Sequence, residues 1–250
     1  MIELLFYPSP NGQKVAIALE EMGLPYQVTF VDITRGAQFD PGFLKISPNN
    51  KIPAMIDHAA PDGPLALFES GAILVYLAER SGQFLPSPAA ARYTCLQWLF
   101  WQVGGLGPMA GQAHHFRAFA SEQVPYGIKR YTDEVNRLYG VLERQLSLHP
   151  FMAGDYSIAD MATWPWITHH ERQGQSLSDF PQIARWYAAM AARPAVQRAV
   201  SLGHERHADA IGHQHLYGQT AARVNAAAGT APATPDHVPP PATSRGTGVP

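Results

Sequence analysis

The chain opens with Ile2 to Phe6, a short apolar run suited to a strand covered on both faces. Val15, Leu19 and Met22 then recur at helical spacing, and Gly23 supplies a stop. Tyr26, Val28 and Phe30 alternate with polar residues, the period-two pattern of a strand. Ala54 to Asp57 and Leu65 to Phe68 flank Pro61-Asp62-Gly63-Pro64, a turn-rich loop that predicts a hairpin. An apolar helical run from Ser70 to Glu79 follows. Beyond a linker holding Pro86 and Pro88, every pattern is helical. Ala89 to Gln102 predicts one helix, interrupted by Gly104-Gly105-Leu106-Gly107-Pro108. Ile128, Tyr131, Val135, Leu138, Leu142 and Leu146 form a long apolar stripe on another. Ser157-Ile158-Ala159-Asp160 is a capping box, with Tyr156 and Met161 placed for a hydrophobic staple. Phe180 to Arg193 and Pro194 to His207 complete the bundle. From about Gly218 the chain turns to Ala, Thr, Pro and Gly, ending past Pro239-Pro240-Pro241 with almost no large apolar residue. That tail is expected to be disordered.

The order strand–helix–strand, then strand–strand–helix around a proline turn, is that of a thioredoxin-like domain. The expected organisation is an α/β thioredoxin-like domain over 1–82, an all-α domain over 89–216 and a disordered tail over 217–250. Two segments of the first domain carry chemistry. Ile52-Pro53 is an X-Pro bond, where a cis peptide forms a tight turn at the mouth of a strand. Such a turn leaves the backbone of Ile52 pointing outward, free to pair with an extended peptide. Glu69-Ser70 falls where a strand gives way to a helix. Ser70 is a natural N-cap, and the free N–H groups beyond it favour a carboxylate, while Glu69 offers a charge for an ammonium. These are the two charges of an α-amino acid terminus, and a γ-glutamyl peptide fits.

Composition narrows the partners. The 250 residues are 46% hydrophobic, enough for one large or two modest domains, and the net charge of −2 makes no case for nucleic acid or an anionic membrane. The N-terminus lacks the basic start and long apolar core of a signal peptide, and no segment is long and apolar enough to cross a membrane. One cysteine, Cys95, rules out an intrachain disulfide framework. A cytoplasmic protein is expected. Eleven histidines raise the question of a metal. His114-His115 and His169-His170 are adjacent pairs whose side chains point apart on a helix, and His204 and His207 share a face with no carboxylate or cysteine cluster beside them. No metal is expected. Trp98, Trp101, Trp164 and Trp166 come with no basic stripe, so they are expected in the core or a pocket wall.

Pro8-Ser9-Pro10-Asn11-Gly12, Gly36-Ala37-Gln38-Phe39, Ile46-Ser47-Pro48-Asn49-Asn50-Lys51-Ile52-Pro53-Ala54 and the run from Leu96 to Pro108 carry a resemblance. Over roughly residues 1 to 215 the chain resembles the cytosolic glutathione transferases. It is most similar to the bacterial nu class of glutathione-dependent disulfide-bond oxidoreductases. Ser9 stands where that class commonly carries Thr, so a hydroxyl is kept. The resemblance implies the glutathione transferase architecture and a homodimer. It also implies glutathione as the bound substrate and a role for Gln38 at its glycine end, where the plain alternative is a solvated loop amide.

A thioredoxin-like domain usually works through Cys-x-x-Cys, and this one has none. Cys95 lies on a predicted helix of the second domain and suits a small buried apolar position. Redox chemistry must then come from the ligand's sulfur, and the protein's task is to favour its thiolate. Ser9 and Asn11 sit between the first strand and first helix, at a positive helix end, where the hydroxyl and an N–H can donate to sulfur. Each unit of pKa lowering is worth about 1.4 kcal/mol, a modest demand on two donors and a helix terminus. Plain turn chemistry is the alternative for this segment, and Tyr7 is a competing hydroxyl. Lys51 is a candidate to neutralise a glycyl carboxylate. Arg130 is a candidate for a carboxylate of a second glutathione, against an exposed helix charge. His115 or Phe116 is expected at the second-substrate pocket. The activity expected is reduction of small or mixed disulfides by glutathione. Conjugation of glutathione to small electrophiles and a non-catalytic binding module are the alternatives.

Overall fold

The computed structural model describes residues 1–203 together with positions 220 and 226. The predicted helix end toward His207, the pair His204 and His207, and the tail over 217–250, apart from those two positions, lie outside the described residues.

A four-stranded sheet anchors the first half. β1 (Ile2–Phe6) pairs in parallel with β2 (Tyr26–Phe30), from Ile2 against Tyr26 to Phe6 against Phe30. Its other edge pairs antiparallel with β3 (Ala54–Asp57), which pairs antiparallel with β4 (Leu65–Phe68), in the order β2-β1-β3-β4. β4 is the edge and carries mostly exposed residues. Between the strands run α1 (Pro10–Met22) and the short α2 (Pro41–Ile46), and α3 (Ser70–Ser81) follows the sheet. This is the thioredoxin-like arrangement.

α1 starts where Ser9 caps it with extended backbone and Pro10 opens the first turn, and it stops at Gly23, whose φ of 62° ends the helix in the left-handed region. Val15 to Leu19 are all buried, so this helix has no polar face along that stretch. It is covered by α3 and by two helices of the second half, α7 (Ile158–Ile167) and α9 (Pro194–Ser201). One apolar core therefore runs from β1 through α1 into the helical half. A smaller core of Leu5, Tyr7, Val31, Phe43, Ile52 and Ala54 fills the opposite side.

The helical half begins with α4 (Ala89–Trp101). The predicted break at Gly104 to Pro108 does not occur. The backbone widens into a π-helical turn over Gln102–Leu106 and continues as α5 (Gly107–His114). Pro108 has no N–H to donate to the preceding turn, and the widened turn takes it in without ending the helix. A second π-turn spans His115–Phe119. α6 (Pro125–Leu148) buries Val135, Leu138, Leu142 and Leu146 of the predicted stripe, and α8 (Pro181–Ala191) packs against it.

The predicted capping box is formed at the start of α7. The Ser157 N–H donates to Asp160 Oδ2 at 3.0 Å, and Ser157 Oγ accepts from the Ala159 N–H at 3.3 Å. Asp160 Oδ1 also accepts from the Met152 N–H and from Trp186 Nε1, at 3.0 and 2.9 Å. Asp160 is fully buried, and burial pushes its pKa up to about 6 against these donors. Among the described residues no helix is long and apolar enough to cross a membrane.

Candidate active site

The Ile52–Pro53 peptide is cis. The β3 ladder begins at Ala54, so the Ile52 backbone lies just beyond the sheet, at the mouth of a pocket. Ser47 Oγ donates to the Lys51 carbonyl at 2.8 Å and ties this loop to the end of α2.

At the other wall the sequence reading needs a correction. Ser70 is not the N-cap of α3; Glu69 holds that position, with φ 72° and ψ 109°, and Ser70 is the first helical residue. A positive φ costs a non-glycine residue about 1–3 kcal/mol, so the turn from β4 into α3 is a strained one. Its result is to face the first-turn N–H groups of Ser70 to Ala72 outward, because intrahelical bonding starts with Ile73 to the Glu69 carbonyl. Asn49 Nδ2 donates to Glu69 Oε1 at 3.2 Å and steadies the acid.

Asn11, Ser47, Asn49, Lys51, Ile52, Pro53, Phe68, Glu69 and Ser70 line a pocket of about 130 Å³. Asn11, Lys51, Glu69 and Ser70 also border a larger cleft of about 650 Å³ whose far wall comes from the helical half, including Val103, Pro108, Gln112, His115 and Trp166. Asn11 stands where the two meet. Of the predicted pair His115 and Phe116, only His115 borders the cleft; Phe116 stacks on Tyr131 with ring centroids 5.4 Å apart.

Ser9 lines neither space. Its Oγ accepts from the Gly12 N–H at 3.3 Å as the cap of α1, which leaves the hydroxyl proton to donate. Gly12 permits this close turn, since a Cβ there would stand 2.4 Å from the Tyr7 carbonyl oxygen. Tyr7 packs in the smaller core and hydrogen-bonds Thr34, and burial pushes its phenol pKa up. Gln38 is 2% exposed on a short 3-10 turn, Ala37–Phe39, and lines neither space. Arg130 is exposed on α6 and lines a separate groove with Met109, Tyr126 and Tyr131. Cys95 is fully buried, and burial raises its thiol pKa. Among the described residues no three His, Cys, Asp or Glu side chains gather to hold a metal ion.

One residue at this site escaped the sequence reading, and so did the contact made by a second. Lys14, on α1, is 2% exposed and borders the cleft; its Nζ donates to Gln102 Oε1 at 2.6 Å and stands 3.5 Å from Ser70 Oγ. Burial lowers its pKa to about 7, partly offset by the charge of Glu69. Lysine is rarely buried, so the apolar run from Val15 to Leu19 that follows it was the one local signal. Trp166 is the second. It was expected as core or pocket wall, and its Nε1 donates to Asn11 Oδ1 at 3.0 Å.

Models of the glutathione S-transferase N-terminal and C-terminal domains match residues 8–80 and 108–194. Disulfide-bond oxidoreductase YfcG of Escherichia coli K12 is 51% identical over 212 residues, covering 82% of this chain and 99% of that protein. A glutathione transferase family member from Pseudomonas fluorescens Pf-5, crystallised with two glutathione bound, superimposes with a TM-score of 0.76 at 47% identity, over 80% of this chain and 92% of that one. A glutathione transferase from Pseudomonas putida, with one glutathione disulfide bound per subunit, gives 0.77 at 44%, over 80% and 91%. A chain that carries both halves of this fold in order, and spans nearly all of a relative half identical to it, belongs to the glutathione S-transferase family.

Proposed function

We propose that this protein is a nu-class, glutathione-dependent disulfide-bond oxidoreductase whose reacting sulfurs all belong to its ligands. The observation that carries the reading is the pairing of a small polar pocket with a larger cleft at Asn11, while the chain's one thiol is buried in the helical core. YfcG and the two glutathione-bound Pseudomonas structures support the same assignment.

One glutathione lies extended in the small pocket. Its α-carboxylate meets the first-turn N–H groups of α3 at Ser70, its ammonium faces Glu69, and its backbone pairs with Ile52 beside Pro53. Lys51 serves the glycyl end and Asn11 donates to the sulfur; Ser9, Gln38 and Arg130, which line neither space, are assigned to the sulfur, the glycyl end and a carboxylate of a second glutathione on the family resemblance alone. The bound thiolate attacks one sulfur of a disulfide in the cleft, forming a mixed disulfide and expelling the other sulfur as a thiol. A second glutathione thiolate then attacks the glutathionyl sulfur, giving glutathione disulfide and releasing the remaining thiol. No protein cysteine and no metal take part.

The working unit is taken as a cytoplasmic homodimer, with residues 1–82 as the glutathione-binding domain and 89–216 as the helical one, of which 204–216 lie outside the described residues. Tyr93 and Phe100, seven residues apart on one face of α4, are 64% and 68% exposed, and Leu65 lies exposed on the edge strand. Apolar surface of this kind suits a second subunit.

The test is reduction of a small model disulfide by glutathione, followed by the glutathione disulfide formed, with a chlorinated aromatic electrophile in parallel. Fast disulfide turnover with feeble conjugation is expected. The reverse result returns the protein to conjugation chemistry, and silence in both assays leaves a binding module.

A further inference from the structure

Trp166 belongs to α7 in the helical half, yet its indole reaches Asn11 at the start of α1, 155 residues away. An indole N–H can only donate. The amide atom 3.0 Å from it must therefore be the carbonyl oxygen of Asn11, which settles the orientation of that amide. With Oδ1 engaged by the indole, the NH2 group of Asn11 is held free to donate to a ligand. An NH2 group offers hydrogen bonds and accepts none. A thiolate accepts; a thiol has a proton of its own to place. Held this way, Asn11 favours the ionised sulfur over the neutral one.

The surroundings hold Trp166 in place. Gln173 Nε2 donates to the Trp166 carbonyl at 2.6 Å, and Tyr139 Oη donates to Gln173 Oε1 at 2.9 Å, with both partners fully buried. On the other side the ring lies along α5, beside Gly107 and Gly111 at ordinary van der Waals distance. A Cβ at Gly107 or Gly111 would stand 3.6 or 3.4 Å from the ring.

We propose that Trp166 is a positioning residue for disulfide reduction: by taking the carbonyl oxygen of Asn11 it turns the amide NH2 toward the glutathione sulfur and tunes that sulfur toward thiolate. This rests on the reading of Asn11 as a donor to sulfur.

The test is the pH titration of the bound thiol, followed by thiolate absorbance in the ultraviolet, in wild type, Trp166→Phe, Asn11→Ala and the double variant. Trp166→Phe keeps an aromatic ring and removes the N–H. The expected result is a rise of about half to one pH unit in the thiol pKa for Trp166→Phe, with glutathione affinity within about twofold of wild type. The double variant should match Asn11→Ala, because Trp166 acts through Asn11. An unchanged pKa in Trp166→Phe beside a raised one in Asn11→Ala overturns the proposal and leaves the site reading standing. Additive shifts overturn it too, since Trp166 would then act by another route. An unchanged pKa in Asn11→Ala removes the site reading itself. If Trp166→Phe fails to fold, the indole N–H resonance of Trp166 decides. It should move and exchange faster with solvent in Asn11→Ala, and an unmoved resonance overturns the contact.

Discussion

Lys14 and Gln102 join the two halves of the molecule by a hydrogen bond of 2.6 Å that is buried at both ends. Gln102 is the first residue of the π-turn between α4 and α5, and Lys14 stands one turn into α1. The same ammonium lies 3.5 Å from Ser70 Oγ, at the helix end assigned to the α-carboxylate of glutathione.

Replacing Lys14 by Met should therefore weaken glutathione binding. A charge-assisted contact in a dry site is worth about 1.5–3 kcal/mol, so a loss of roughly tenfold or more is expected by calorimetry. Unchanged affinity would place the ammonium out of reach of the ligand.

Lys14 also sets a pH dependence of stability. Its folded pKa is about 7 and its ordinary value 10.5, so between these the unfolded chain holds more protons than the folded one. Stability then rises with pH through that window, while below it both states are protonated and the full penalty of burying the charge remains. Urea midpoints measured from pH 7 upward should climb in wild type relative to Lys14→Met. Parallel curves would refute the assignment.

Ser9 caps α1 and is proposed to donate to the glutathione sulfur, and both depend on its hydroxyl. Ser9→Ala removes the cap of α1 and should cost about 1 kcal/mol in stability as well as activity. Ser9→Thr keeps the hydroxyl and should retain both. A Ser9→Ala, Asn11→Ala enzyme that still reduces disulfides at the wild-type rate would sink the thiolate site.

The glycine stretch offers a contrast within a few residues. A Cβ at Gly107 would come 2.8 Å from Gln102 Nε2 and 3.2 Å from the Gln102 carbonyl oxygen, whereas none of the described atoms beyond each residue's own neighbours lies within 4 Å of a Cβ at Gly104 or Gly105. Gly107→Ala should destabilise by about 1–3 kcal/mol and disturb the bond to Lys14. Gly104→Ala should be neutral, or stabilising by up to about 1 kcal/mol. Thermal melts of the pair would check this, and equal effects would contradict it.

Cys95→Ala should leave disulfide reduction by glutathione unchanged while lowering stability modestly, because the thiol is a fully buried packing group. Loss of turnover in a folded variant would bring the protein's own sulfur back into the mechanism.

The strands and first helix were legible because their signals are local. The alternation of Tyr26, Val28 and Phe30, the stop at Gly23 and the hairpin loop before Leu65 each depend on neighbours a few residues apart. Gly104 to Pro108 misled because glycine and proline mark helix ends in general, whereas a helix that widens by one residue per turn accepts both. Ser70 misled by one position, since the strained backbone of Glu69 does the turning that a serine cap usually does. Trp166 carried no local mark at all. Its partner lies at the far end of the chain, and only the packing of α7 on α1 brings them together.

α1 has a further consequence. With Val15 to Leu19 buried on every side between the sheet, α3, α7 and α9, the first half has no finished exterior of its own. A fragment cut after α3 would present that helix's outer side to water as a bare apolar surface. The two halves should therefore unfold together, as one cooperative unit.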